Sequence, residues 1–242
     1  MRALRILLIF VVIVGGLFVI ADRVAVNFAE NKAADKLRTS EGLAETPDVD
    51  IEGFPFLTQV AAGSLDDVRI GIKDYDAKSG GDSIRIADLD AEMHGVKFDS
   101  SFSSATAETA TGTARISYAE LLKAVKKQDA AQVAPGVTAR IDGLSYGGGD
   151  KVKVAVTVTT PVGTLHPTVL SSIKVADGKV SARADSLPKT GAFELAEGRV
   201  RAVTDFQQAI DNLPAGIALD KVAPVTDGVE ITVKGSGLDL VG

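Results

Sequence analysis

The chain has 242 residues, 45% hydrophobic and 24% charged, enough to bury a substantial core in one domain with an appended segment. It has no cysteine, which excludes disulfides, thiolate metal sites and thiol nucleophiles and leaves the redox compartment open. A formal charge of −6 argues against nucleic acid, whose phosphates are held by dense Lys and Arg, and against a broadly basic membrane-docking surface.

Residues 1–22 read as a membrane-targeting segment: Arg2 and Arg5 precede an uncharged run from Ile6 to Ala21, which ends at Asp22. At 1.5 Å per residue this run covers about 24 Å, short of a hydrocarbon core of about 30 Å. Length alone does not separate an anchor from a signal peptide. With no clear small-x-small site directly after the run, and no cysteine for a lipid anchor, we read a single-pass, uncleaved signal anchor; if it is cleaved, the body is secreted. The leading arginines predict a cytoplasmic N-terminus and an extracytoplasmic body. Residues 23–47 follow as a helical stalk and linker, rich in alanine and free of Gly and Pro as far as Arg38, with Val24, Phe28 and Leu37 as a thin apolar stripe. Its mixed charges favour packing or a stalk over a helix lying flat on a membrane.

Residues 48–242 form the body. Val49 and Ile51 alternate as on a strand, and Val68, Ile70 and Ile72 repeat the period after an aromatic turn. In that turn Gly53 permits an unusual φ, and Pro55 fixes its own and biases Phe54 away from the helical region. Phe54, Phe56 and Leu57 concentrate apolar area in a chain with only 5% aromatics. They either plug the end of an ordinary β core or line the rim of a lipid cavity.

The stretch GFPFLTQV, followed by Gly63 and the V-x-I-x-I strand, resembles the N-terminal signature of the LmeA-like phospholipid-binding proteins of actinobacterial cell envelopes. A weaker echo lies in LPAGIALDKV and TDGVEITVKG near the C-terminus. The resemblance implies an α+β fold in which a long curved antiparallel sheet and a few helices enclose an elongated apolar cavity, as in tubular lipid-binding proteins. It implies no established catalytic residues.

Further along, SIRIADL (83–89) and Val96 to Phe98 alternate and bracket an expected hairpin at His94–Gly95. Residues 100–113, rich in Ser, Thr and Ala, fit either a solvated strand pair or a loop. Ser117 and Glu120 have capping-box spacing and start a helix, YAELLKAVKK, with Leu121, Leu122 and Val125 on its apolar face. Lys123, Lys126 and Lys127 give it a basic side, either a solvated face or a contact for anionic head groups. Strands are expected over 137–144, 151–159, 168–175 and 179–187, with a glycine-rich loop at 146–150 and a two-residue Asp177–Gly178 turn. In KVKVAVTVT the residues Val152, Val154, Val156 and Val158 share one face, and periodicity does not distinguish a filled sheet from a hollow one. Thr204 and Gln207 suggest a second capped helix, with Phe206, Ile210 and Leu213 inward and Pro214 closing it. A turn at Thr226–Gly228 leads into a last strand with Val229, Ile231 and Val233.

His94 and His166 belong to no HExxH, GxSxG or His-x-His pattern, the glycine-rich loop lacks phosphate-cradle spacing, and no calcium-loop pattern is present. The sequence therefore reads as a non-enzyme with no cofactor or metal. With the resemblance, it reads as a membrane-anchored protein binding a phospholipid or related amphiphile for transport or envelope lipoglycan assembly, with envelope-biosynthesis enzymes as possible partners. Phe54, Phe56 and Leu57 are assigned to the cavity or its rim, and Val154, Val156 and Ile231 to its wall. The alternative is a non-catalytic structural or interaction protein of the envelope with a filled β core.

Overall fold

The computed structural model describes residues 2–79, 82–101, 104–126, 130–176, 178–185, 206–209 and 215–241. Helix α1 (Arg2–Glu41) carries the apolar run without a break into the segment read as a stalk, and it is long and apolar enough to cross a membrane. The elements that follow are β1 (Asp48–Glu52), α2 (Phe56–Ala62), β2 (Ser64–Ser79), β3 (Asp82–Phe98), β4 (Ala105–Ser117), α3 (Tyr118–Lys126), β5 (Ala131–Ala134) and β6 (Val137–Gly148). They continue as β7 (Lys151–Thr160), β8 (Gly163–Leu165), β9 (Thr168–Ala176), β10 (Lys179–Ala184), β11 (Phe206–Ala209), β12 (Ile217–Val225) and β13 (Gly228–Val241). The molecule is mostly antiparallel sheet with a few helices. Where one long sheet is expected, the described strands form two: β1-β2-β3-β4-β13-β12, and β11-β10-β9-β7-β6-β5 with β8 beside β7.

The chain divides into two compact units. The first comprises residues 1–72, 90–111 and 235–242, and the second residues 73–89 and 112–234.

In the first unit α1 packs on β1 and α2. Val26 and Ala34 are buried, as is Asp22, and residues spaced by four share one side of a helix. Of the expected stripe only Leu37 reaches that side; Val24 and Phe28 lie around the helix from it, exposed. β1 is an edge strand, and its free edge is covered: the Ile51 N–H donates to Glu30 Oε1 of α1 at 3.0 Å. That N–H points away from β2, so the Ile51–Val68 and Val49–Ile70 pairs are of the closely spaced, non-hydrogen-bonded kind.

β3 runs straight through His94–Gly95, where a hairpin is expected. Gly95 takes a left-handed φ of 60° inside the strand, where a Cβ would strike the Glu108 side chain. The Ser, Thr and Ala-rich stretch is one strand, β4, from Ala105 on, rather than a strand pair or a loop.

In the second unit the four valines of β7 are 3–7% exposed. They form one core with Tyr118 of α3, Ala139 of β6, Leu219 and Val222 of β12, and Val229 of β13. The register explains how β6 joins them. Ile141 pairs with Val156, but a bulge at Asp142 then brings Leu144 opposite Val154, so residues three apart reach the same face. Without the bulge their side chains alternate to opposite faces. The Ser117 hydroxyl accepts the Glu120 N–H at 3.2 Å, so α3 begins at the expected cap. Lys123 of its basic side pairs with Glu120, and Lys127 lies outside the described residues. The strands expected over 137–187 are present as β6, β7, β9 and β10, the last described to Ala184. The expected second helix is corrected: Phe206–Ala209 is strand β11, paired antiparallel with β10 from Lys179↔Ala209 to Ala182↔Phe206, because a sheet edge offers these backbone groups partners that a short helix lacks. Thr204, Ile210, Leu213 and Pro214 lie outside the described residues.

Candidate functional site

The aromatic stretch of the first unit is built around α2, a seven-residue helix where the sequence suggested only a turn. Pro55, after a cis bond from Phe54, takes the N-cap position with an extended backbone and no side-chain cap of its own. The cap comes from another helix. Asp22 Oδ1, at the end of the apolar run, accepts the Leu57 N–H at 2.8 Å, satisfying a first-turn donor that α2 cannot satisfy itself. Asp22 Oδ2 takes a 2.6 Å bond from Arg23, whose guanidinium stands 5.3 Å from the centre of the Phe54 ring. One carboxylate thus ties α1, α2 and the aromatic turn together.

Gln59 fixes the flanking strands. Its amide nitrogen donates to the Glu52 carbonyl at 3.3 Å and its oxygen accepts the Asp66 N–H at 2.7 Å, joining the end of β1 to the start of β2. Gly53 is required beneath it, since φ is 97° and a Cβ would collide with the Gln59 amide. Gly63 ends α2 in the left-handed conformation, its N–H turned back to Gln59 and Val60, and its carbonyl accepts the Phe98 N–H at 3.0 Å.

Most of the GFPFLTQV stretch is therefore explained by architecture. Phe56 is buried and Leu57 half-buried in the first turn of α2. Phe54 is the exception, 59% exposed beside the end of the apolar run. On the strands that follow, Val49, Ile51, Val68 and Ile70 share one face, and all four are only half-buried. The opposite face is charged: Arg69 bridges Glu52 and Glu92, and the Glu92 hydrogen bond with the nearby Glu52 charge holds its guanidinium above the usual range.

The six sequence-assigned residues fall into two groups. Phe54, Phe56 and Leu57 stand together in the first unit. Val154 and Val156 are buried in the core of the second unit, and Ile231 packs against that core partly buried. Asp22, Arg23, Glu30 and Gln59 were missed by the sequence reading, although the four-residue spacing of Asp22, Val26, Glu30 and Ala34 marks a packed side of α1. His94 contacts Asp67, and His166 Nδ1 lies 2.9 Å from Thr157 Oγ1. Among the described residues no group of three His, Asp or Glu is arranged to hold a metal ion.

A family model described as LmeA-like phospholipid-binding matches residues 20–234. No curated protein and no solved structure gives a match.

Proposed function

This chain belongs to the LmeA-like phospholipid-binding family, and from that footing we propose that it holds one phospholipid by its acyl chains in an elongated apolar cavity, outside the membrane that α1 crosses. The observation that carries the reading is the extent of the family match, which takes in the aromatic stretch and most of the strands. The half-buried face of Val49, Ile51, Val68 and Ile70, next to exposed Phe54, supports it: apolar area left partly in water is area an acyl chain covers. Each methylene so buried contributes about 0.8 kcal/mol, while the head group stays at a polar mouth. We assign Phe54, Phe56 and Leu57 to the cavity or its rim, and Val154, Val156 and Ile231 to its wall. No bond is made or broken. The role is lipid transport or support of envelope lipoglycan assembly, with the uncleaved α1 keeping the body at the extracytoplasmic face near envelope-biosynthesis enzymes.

A second reading, an envelope interaction protein with a filled β core, is favoured by one observation: the β7 valines already pack against β6, β12, β13 and α3 side chains. Native mass spectrometry of the full chain, released from mild detergent after purification from a membrane-containing host, separates the two. One phospholipid per chain is expected, lost in Phe54→Asp or Leu57→Asp with the circular dichroism of the strands retained. A folded chain that carries no lipid and takes up none when lipid is added overturns the binding reading and selects the filled core.

A further inference from the structure

We propose that the Phe54 turn is a membrane-seated collar: Phe54, with Val24 and Phe28 of α1, enters the outer margin of the bilayer that α1 crosses and holds the first unit against the leaflet surface. This rests on α1 as an anchor, but not on the lipid cavity.

The uncharged run from Ile6 to Ala21 covers about 24 Å of a hydrocarbon core of about 30 Å, so about four more residues lie at hydrocarbon depth. They come from the two flanks of the run, Leu4 and Arg5 before it and Asp22 and Arg23 after it. α1 continues without a break, so Val24 stands about 4.5 Å and Phe28 about 10 Å beyond Ala21 along one unbroken helix. The Leu57 N–H bonded to Asp22 fixes the first turn of α2 at the same height.

A bare carboxylate at that depth is costly, but Asp22 has no exposed surface, and its two oxygens are taken by the Leu57 N–H and the Arg23 guanidinium. Arg23 in turn lies against the Phe54 ring, so its charge is both paired and covered on one side. The pair therefore reaches the membrane margin as a neutral unit.

Phe54, Val24 and Phe28 are 59%, 64% and 65% exposed; Val24 and Phe28 lie within two helical turns of the end of the run, and Phe54 stands at the height of Arg23. Lys32, one turn beyond Phe28, holds its ammonium 5.8 Å from that ring, the arrangement of an aromatic group in the interface with a cation reaching to the phosphates. The mixed charges of residues 30–38 disfavour a helix lying flat on a bilayer, but not one rising out of it.

Because the chain has no cysteine, single cysteines label it uniquely. The full chain is reconstituted in vesicles of phosphatidylcholine and phosphatidylglycerol, with an environment-sensitive fluorophore at Phe54→Cys, Val24→Cys, Phe28→Cys, Ser40→Cys or Ile13→Cys. Ser40, about 28 Å beyond Ala21, is the aqueous reference, and Ile13 reports the anchor. Labels at 24, 28 and 54 are expected to be quenched by lipids carrying a nitroxide near the head group, and several-fold less by aqueous iodide than the label at 40. If the label at 54 is as open to iodide as that at 40 while the label at 13 is quenched by deep nitroxides, the collar is wrong and the anchor stands, whatever the label at 24 shows. If the label at 13 is itself open to iodide, both fall. A label at Thr58→Cys, exposed in α2, keeps the test valid should loss of the Phe54 ring disturb the turn.

Discussion

The two units use the same material, alternating valine and isoleucine on antiparallel strands, to different ends. In the second unit the β7 valines are 3–7% exposed and meet side chains of a facing sheet and a helix. In the first, the paired Val49–Ile70 and Ile51–Val68 are left half-buried, and order is imposed by polar clamps at the edges: Asp22 on α2, Glu30 on β1, and Gln59 across β1 and β2. The second unit closes its alternating valines into one core, whereas the first buries other residues, among them Phe56, Met93, Val96 and Leu238, and leaves this alternating face half-open with hydrogen bonds at its edges. That is the unit whose faces a ligand or a bilayer can cover.

The contrast is broken most severely at Gly228. A Cβ there would overlap the backbone carbonyl of Ile116, and the neighbouring turn is pinned by Tyr118, whose N–H donates to the Asp227 carbonyl at 3.3 Å and whose hydroxyl donates to the Val225 carbonyl at 2.9 Å. Backbone cannot yield as a side chain can, so Gly228→Ala is expected to prevent cooperative folding of the second unit, read as loss of a thermal transition. A milder comparison is like for like. Val156→Ala removes two buried carbons and leaves a cavity, costing about 2 kcal/mol or more, whereas Val68→Ala at a half-buried site costs about half that. Denaturant midpoints measure both, and equal costs would erase the distinction between the units.

Asp22→Ala sharpens the account of the first unit. It removes the cap of α2 and unpairs Arg23, so a fall of several degrees in the thermal midpoint is expected, with the amides of residues 56–60 losing protection from hydrogen exchange while those of β7 keep theirs. Uniform loss in both units would sink the idea of a local clamp.

The smallest effect concerns pH. Asp185 bonds to Lys151 at 2.7 Å and accepts the Ser172 hydroxyl at 2.6 Å, and these partners hold its carboxyl below the ordinary aspartate range. A carboxyl lowered on folding stabilises above its unfolded pKa of about 3.9, and that contribution is lost as pH falls through the lower folded value. NMR titration should therefore place Asp185 below an unperturbed aspartate, and Lys151→Met should move it back up.

Much of this was legible in the sequence because it is local. The apolar run, the alternation of β1, β2 and β7, the Ser117 cap and the turn before β13 depend on residues within a few positions of one another, and the aromatic stretch with its glycines was distinctive enough to point to the family. What only the tertiary structure decided depends on partners far along the chain. α2 takes its cap from Asp22, 35 positions earlier. The bulge in β6 depends on which β7 residues stand opposite, and Phe206–Ala209 is a strand because β10 offers an edge. Periodicity assigns a residue to a face, but whether that face is packed, as at Val156, or left half-open, as at Val68, is set by what lies across from it. No local spacing encodes that.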